Sequence, residues 1–236
     1  RGLRPGSHQF RDVSALAADG RDRRDRRDRR DGRTRVGVLL SGRGSNFVAL
    51  AQALAAGDAP AQIALVLSNA ADAPGLARAR ELAIPTLAVP HGDYPSRAAH
   101  EGAVLAALAA AGVEWVCLAG YMRLLSAEFV AAFPERILNI HPSLLPAFPG
   151  LHPQRQAIAA GVKISGCTVH FVDSGLDSGP IVLQRAVAVE ENDDEASLAG
   201  RILVEEHLAY PEALRRLLSQ RWYIEGRRLR LPAGPE

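Results

Sequence analysis

Two side chains at the end of one apolar run, and a third in a later turn, have the types that move protons. Asn139 and His141 lie two residues apart in Asn139-Ile-His-Pro-Ser-Leu-Leu-Pro146, just after an apolar run. Residues i and i+2 of a strand project from the same face, so the amide and the imidazole are expected to point together. Pro142 stops the strand for want of an N–H, and Pro146 and Pro149 stiffen the chain beyond it. An imidazole exchanges a proton near neutral pH, and an amide N–H can steady a developing oxyanion. Asp177 stands in the turn Asp173-Ser-Gly-Leu-Asp-Ser-Gly-Pro180. A carboxylate beside His141 would favour the protonated ring. The residues alone leave two plainer uses open: a histidine that ties a loop to the sheet, and aspartates that only build a turn. Ser143 lacks the Gly-x-Ser-x-Gly elbow of a serine hydrolase, so no nucleophilic serine is expected. The seven histidines show no metal-ligand spacing, and no metal is expected.

A second constellation precedes these. Ser41-Gly-Arg-Gly-Ser-Asn46 joins an apolar run to a helical segment. Glycines let the backbone approach a ligand closely, and a helix N-terminus offers free N–H groups and partial positive charge. Ser45 and Asn46 can add side-chain hydrogen bonds or a cap. A dinucleotide fingerprint would need glycine where Phe47 stands and an acid where the chain has Ser68-Asn69. No Gly-Lys-Ser/Thr of a triphosphate loop is present. A terminal monophosphate fits best, with a simple capped turn as the alternative.

These residues need a frame. Strands are expected at Val36–Leu40, Ile63–Ser68, Thr86–Val89, Trp115–Ala119, Ile137–Ile140, Cys167–Val172 and Ile181–Val189. Helices are expected at Asn46–Ala56, Pro74–Leu82, Ser96–Ala111 and Ser126–Phe133, with a long one over Asp194–Leu218. Apolar strands alternating with helices imply a doubly wound, mostly parallel, Rossmann-like α/β sheet. The last two strands would form an antiparallel pair near the C-terminus, and Trp222–Leu231 a small hairpin. The C-terminal edge of such a sheet is where ligands bind, and Asn139 and His141 fall there.

Of the 236 residues 47% are apolar, and no run approaches a membrane span. No signal-peptide core is present, and the two cysteines, Cys117 and Cys167, lie in apolar runs. They are expected to be buried thiols in a cytoplasmic protein. Residues 1–33 hold eleven arginines and six aspartates, which leaves residues 34–236 three negative charges. The basic balance therefore belongs to the tail, and no nucleic-acid partner is expected. The repeat RDRRDRRDRRD has almost no apolar content, so residues 1–33 are expected to be a disordered charged tail before one domain over 34–236.

Taken together, SGRGSN, LSN at 67–69, LAGYMRLLS at 118–126, NIHPSLLPAFPGLH, GCTVHFVDSGLDSGPI and EEHLAYP at 205–211 resemble the glycinamide ribonucleotide formyltransferases. The likeness is collinear from Arg35 to about Leu218. It implies formyl transfer from 10-formyltetrahydrofolate to 5-phosphoribosylglycinamide in purine synthesis, with small-molecule partners and either a monomer or a homodimer. The resemblance makes Asn139, His141 and Asp177 the catalytic set. Gly44, Ser45 and Asn46 would hold the phosphate, and Glu206 the ribose hydroxyls. Arg97, Met122, Arg123, Leu124 and Leu125, with Asn139, would contact the folate. By sequence alone, core packing is the plainer expectation for Met122 and the leucines. Arg43 departs from the small polar residue of some members, at a position whose side chain should point outward. Related methionyl-tRNA formyltransferases would need a further basic domain, and formyltetrahydrofolate deformylases an N-terminal regulatory one. A non-catalytic nucleotide-binding module would explain the glycine loop, but not Asn139, His141 and Asp177 together.

Overall fold

The computed structural model describes residues 32–57 and 59–232. Its strands are β1 (Thr34–Leu40), β2 (Ala61–Ser68), β3 (Thr86–Ala88), β4 (Trp115–Leu118) and β5 (Ile137–His141), then β6 (Ile164–Phe171), β7 (Ile181–Ala188), β8 (Tyr223–Glu225) and β9 (Arg228–Arg230). They form one sheet ordered β3-β2-β1-β4-β5-β6-β7-β9-β8. The helices are α1 (Ser45–Ala55), α2 (Pro74–Glu81), α3 (Arg97–Ala110), α4 (Ala127–Ala132), α5 (Pro153–Ala159) and α6 (Glu195–Ser219).

The first five strands are parallel, as their continuous apolar runs require of strands covered on both faces. In β1 the alternation is plain. Val36, Val38 and Leu40 enter one core with Phe47, Leu50 and Tyr210, while Leu39 enters the other with Val104, Leu108 and Phe129. Thus α1, α2, α5 and α6 cover one face, and α3 and α4 the other. Fully burying one such large side chain contributes roughly 2 kcal/mol.

From β1 the chain winds outward to β2 and β3, then returns to the opposite side of β1 as β4. The switch point therefore lies between β1 and β4, with the carboxyl ends of β1, β4 and β5 around it. β5 pairs antiparallel with β6, and β6 with β7, so the antiparallel pair is present and the reversal begins one strand earlier than the pair itself. The hairpin β8–β9 also forms, and it extends the sheet by pairing β9 with β7 at Ile181↔Arg228.

Helix α6 begins at a capping box. The Asp194 carboxylate accepts from Ser197 N–H at 2.7 Å, and the Ser197 hydroxyl accepts from Asp194 N–H at 2.9 Å. Its buried stripe includes Leu198, Ile202, Ala209, Tyr210, Ala213 and Leu214, and one carboxylate, Glu206. The Tyr210 hydroxyl lies 3.0 Å from the Leu118 carbonyl and 2.9 Å from that of Leu138, between β4 and β5.

Two expectations need adjustment. Helix α5 has no counterpart in the sequence reading, because seven residues give too short an apolar period, though Pro153 at its first position is a start signal. Strand β6 starts at Ile164, since Ser165 and Gly166 pair with Val187 and Ala186 despite their weak strand propensity. Both cysteines are buried free thiols as expected, pushed up to about 12 by burial. The arginine-aspartate repeat lies outside the described residues.

Candidate active site

Strand β1 delivers Ser41–Gly44 to the switch point. Gly44 is left-handed (φ 70°, ψ 30°), and a Cβ there would lie 3.0 Å from Gly75 Cα and 3.1 Å from Leu40 Cδ2. The loop is pinned from below by Gly75, whose N–H donates to the Gly42 carbonyl at 3.0 Å. Glycine at 44 thus serves both the turn and the close approach of two backbones. Neither Ser45 nor Asn46 caps α1, contrary to one expectation: the cap position is Gly44, with no side-chain hydrogen bond. The first-turn N–H groups are thereby left for a ligand.

Asn46 has a different task. Its Nδ2 donates to Glu206 Oε2 at 2.7 Å in a buried bond, while its Oδ1 is buried without a partner. Burial pushes the Glu206 carboxyl above the usual range, and the Asn46 bond opposes that push. The structure therefore joins two of the expected substrate residues directly, across two helices.

The imidazole and the carboxylate also meet, and the amide joins them through His170. In the β5–β6 register Asn139 faces His170, and His141 faces Thr168. His141 Nδ1 lies 3.4 Å from Asp177 Oδ2, and its Nε2 lies 2.9 Å from the Phe148 carbonyl. A carbonyl can only accept, so Nε2 carries a proton, and a ring carrying both protons donates to both oxygens. Asp177 is fixed in turn by Gly150, whose N–H donates to Oδ2 at 2.9 Å.

His170 is the member that sequence reasoning missed. Its Nδ1 lies 2.9 Å from the Phe171 carbonyl and must therefore donate. Its Nε2 is then an acceptor, 3.2 Å from Asn139 Nδ2 and 3.6 Å from Asp177 Oδ1. Burial holds the ring's pKa below its ordinary value, with the Phe171 carbonyl and Asp177 opposing, so the neutral acceptor form is favoured. One Asn139 N–H is thus taken by His170, and the amide orientation follows. A sequence signal existed: Thr168 and His170 repeat the i, i+2 polar pattern of Asn139 and His141 in an equally apolar strand.

The loop after β5 is held by hydrogen bonds rather than by its prolines alone. The Thr168 hydroxyl donates to the Ser143 carbonyl at 2.7 Å and accepts from Leu145 N–H at 3.0 Å. Ser143 donates to the Ala147 carbonyl at 2.6 Å, a loop-closing role and not a nucleophile's. Three non-glycine residues around the cluster are left-handed: Phe148 (φ 54°), His152 (φ 54°) and Asp177 (φ 48°). Each such conformation costs on the order of 1 kcal/mol, and clustering of this kind is a mark of functional sites.

The segment expected to meet the folate runs along the same edge. The Ser41 hydroxyl accepts from Met122 N–H at 2.8 Å and donates to Asn69 Oδ1 at 2.6 Å, which ties the segment to the glycine loop. Arg97 Nη2 donates to the Leu124 carbonyl at 2.7 Å, and its Nε to Glu101 Oε1 at 3.0 Å. The same Glu101 oxygen accepts from Ser126 N–H at 3.1 Å, so this buried acid fixes both ends of the clamp. Met122 is 70% exposed and Leu124 64%, so neither is core, whereas Leu125 packs against the second core. Arg123, on the same segment, is partly exposed.

Such a site, at the edge of such a sheet, has known counterparts. Residues 34–214 match the formyl transferase family, to which the chain belongs. A solved relative, glycinamide ribonucleotide transformylase 1 of Symbiobacterium toebii, superposes with a TM-score of 0.83 at 53% identity, covering 84% of this chain and 94% of its own. Within the family, the branch is that of the phosphoribosylglycinamide formyltransferases: the Bacillus subtilis enzyme of that name is 42% identical over 181 residues, 77% of this chain and 93% of its own length. The trifunctional purine biosynthetic protein adenosine-3 of Drosophila pseudoobscura pseudoobscura is 50% identical over 189 residues. The chain spans about 14% of that longer relative's length.

Proposed function

We propose that this protein transfers a formyl group from 10-formyltetrahydrofolate to the amino group of 5-phosphoribosylglycinamide, a step of purine biosynthesis, through a single domain beginning at residue 34. The observation that carries the reading is the chain of contacts from Asn139 through His170 to Asp177, and from Asp177 to His141, at the sheet edge beside an uncapped phosphate loop. The residues suit both partners. Gly44, Ser45 and Asn46 frame the phosphate, and Glu206 Oε1 is available for ribose hydroxyls while Oε2 holds Asn46. The exposed Met122 and Leu124 give a flat donor apolar surface to cover, Arg97 holds the Leu124 carbonyl at that surface, and Arg123 offers charge to the donor's carboxylates. Leu125 acts through its backbone, because its side chain is committed to the core.

The folate supplies a formyl group already activated on nitrogen. As the amine attacks, negative charge grows on the formyl oxygen, and the second Asn139 N–H is free to donate to it. One such donor is worth roughly 3 kcal/mol of transition-state stabilisation. The attacking amine must lose a proton and the departing nitrogen must gain one. His141 is the proton carrier, through Nε2 once the substrate takes the place of the Phe148 carbonyl, and Asp177 at Nδ1 balances its charge. The 3.4 Å separation between them is longer than a good hydrogen bond and tightens when substrates exclude water.

The test is an assay of the purified chain with 10-formyltetrahydrofolate and three acceptors: glycinamide ribonucleotide, water and charged methionyl-tRNA. Formylated ribonucleotide is the expected product. Release of formate alone, or formylation of the tRNA alone, would refute the reading.

A further inference from the structure

A groove of about 700 Å³ opens from Ser45 and runs between α1 and α6, and Arg43, Arg78 and Arg215 line it. Most arginines around the site are committed: Arg97 to Glu101, Arg155 to Glu195, Arg185 to Glu205 and Glu212, and Arg201 to Asp193. Arg43, Arg78 and Arg215 instead have no side-chain partner among the described residues. The one acid in the wall, Glu212, is already paired with Arg185 and Arg216. His207 lines the same groove with its Nε2 buried and unpartnered.

The charge balance of the phosphate loop asks for such groups. A phosphate monoester carries about −1.5 to −2 at neutral pH, whereas a helix N-terminus offers roughly half a positive charge. The loop's own side chains, Ser45 and Asn46, are neutral, and the acid Glu206 is bonded to Asn46. Arg43 lies one residue before Gly44, inside the cradle. Arg78 lies one turn into α2, the helix whose Gly75 packs under that cradle. Arg215 is eight residues beyond His207 on α6, about 12 Å along the axis.

We propose that Arg43 and Arg78 complete the phosphate subsite and make the protein select a phosphorylated amine over the same amine without its phosphate. This rests on the function proposed above and assigns these residues to its phosphate end. Arg43 thus points out of the fold but into the substrate's path. Guanidinium groups suit the task because their N–H forks match phosphate oxygens.

The test compares wild type, Arg43→Gln, Arg78→Gln, the double variant and Arg215→Gln. Loss of a charge-assisted contact should raise KM for glycinamide ribonucleotide about tenfold for each of the first two changes, with kcat and the donor KM nearly unchanged. KM for the riboside lacking phosphate should not move. Arg215→Gln removes the same charge from the same groove beyond a Debye length of roughly 8–10 Å, and should leave KM within about twofold. An unchanged ribonucleotide KM in the double variant overturns the inference. So does an equal rise with Arg215→Gln, which would mean bulk attraction. A second arm needs no turnover: inorganic phosphate should raise the melting temperature of wild type and Arg215→Gln but not of the double variant. If wild type transfers no formyl group, the proposed function fails by itself, and the phosphate arm still decides whether these arginines hold phosphate.

Discussion

The Asn46 amide donates to the Glu206 carboxylate at 2.7 Å, a buried bond between residues 160 positions apart. It fastens the first turn of α1 to the apolar stripe of α6 and places an acid where a helix of this pattern would carry leucine. Burial raises the Glu206 pKa, so the ionised form is the strained one. An acid raised in this way destabilises the fold as pH rises through the ordinary carboxylate range and up to its own folded value. Glu206→Gln keeps an acceptor for Asn46 and removes the charge. Its melting temperature should match wild type near pH 4 and exceed it by a few degrees at pH 8. KM for the ribonucleotide should rise about tenfold, the worth of one hydrogen bond to a charged group. Thermal melts across pH, with steady-state kinetics, check both halves.

Much of this arrangement was legible in the residues alone. The i, i+2 rule put Asn139 and His141 on one face, and Pro142 marked where the strand stops. The parallel β1–β5 frame followed from runs too apolar for a one-sided sheet. Three things were not legible, each for a physical reason. The partner of Asn139 depends on register: only the pairing of β5 with β6 sets His170 opposite it. Glu101 reads as an ordinary i, i+4 partner of Arg97, and its second bond, to Ser126 N–H, spans 25 residues. The neighbourhood of Arg43 depends on how α1, α2 and α6 pack, and no local pattern encodes that.

His141 should be needed for turnover more than for binding. His141→Gln removes the imidazole while an amide can still reach the Phe148 carbonyl, which His141 Nε2 now meets at 2.9 Å. The expected result is a fall in kcat of about 10²–10⁴, typical for loss of a general acid–base group, with ribonucleotide affinity within about threefold of wild type. Single-turnover kinetics beside calorimetric titration separate the two. A variant with wild-type kcat would remove His141 from the chemistry.

His170 is expected to act through Asn139, and its pKa direction gives an independent readout. A histidine whose folded pKa is depressed stabilises the fold above its unfolded value, 6.5 for the ordinary ring, and loses that contribution as pH falls. His170→Phe fills the same buried space without an acceptor for Asn139. Its stability should fall less steeply than wild type below about pH 6.5. Its kcat should drop about tenfold or more, because the amide proposed to meet the formyl oxygen is no longer held in one orientation. Denaturant melts at several pH values test the first point, and an assay at saturating substrates the second.

Gly75 supports the site from below, and the cost of a methyl group there follows from contact distances. A Cβ would lie 2.7 and 2.9 Å from the two terminal carbons of Leu40 and 3.0 Å from the Gly42 carbonyl oxygen. Leu40 is fully buried in the first core and cannot move away freely, while the Gly42 carbonyl belongs to the loop itself. The backbone must therefore give way, carrying the loop with it, since overpacking of this kind costs roughly 1–3 kcal/mol. Gly75→Ala should lower the melting temperature by several degrees and raise KM for the ribonucleotide while leaving KM for the formyl donor near wild type. Gly102, on an open face of α3 where an added methyl would meet no atom within 4 Å, gives the control: Gly102→Ala should hold or raise stability. Equal melting temperatures for the two variants would show that the close approach beneath the loop carries no mechanical load.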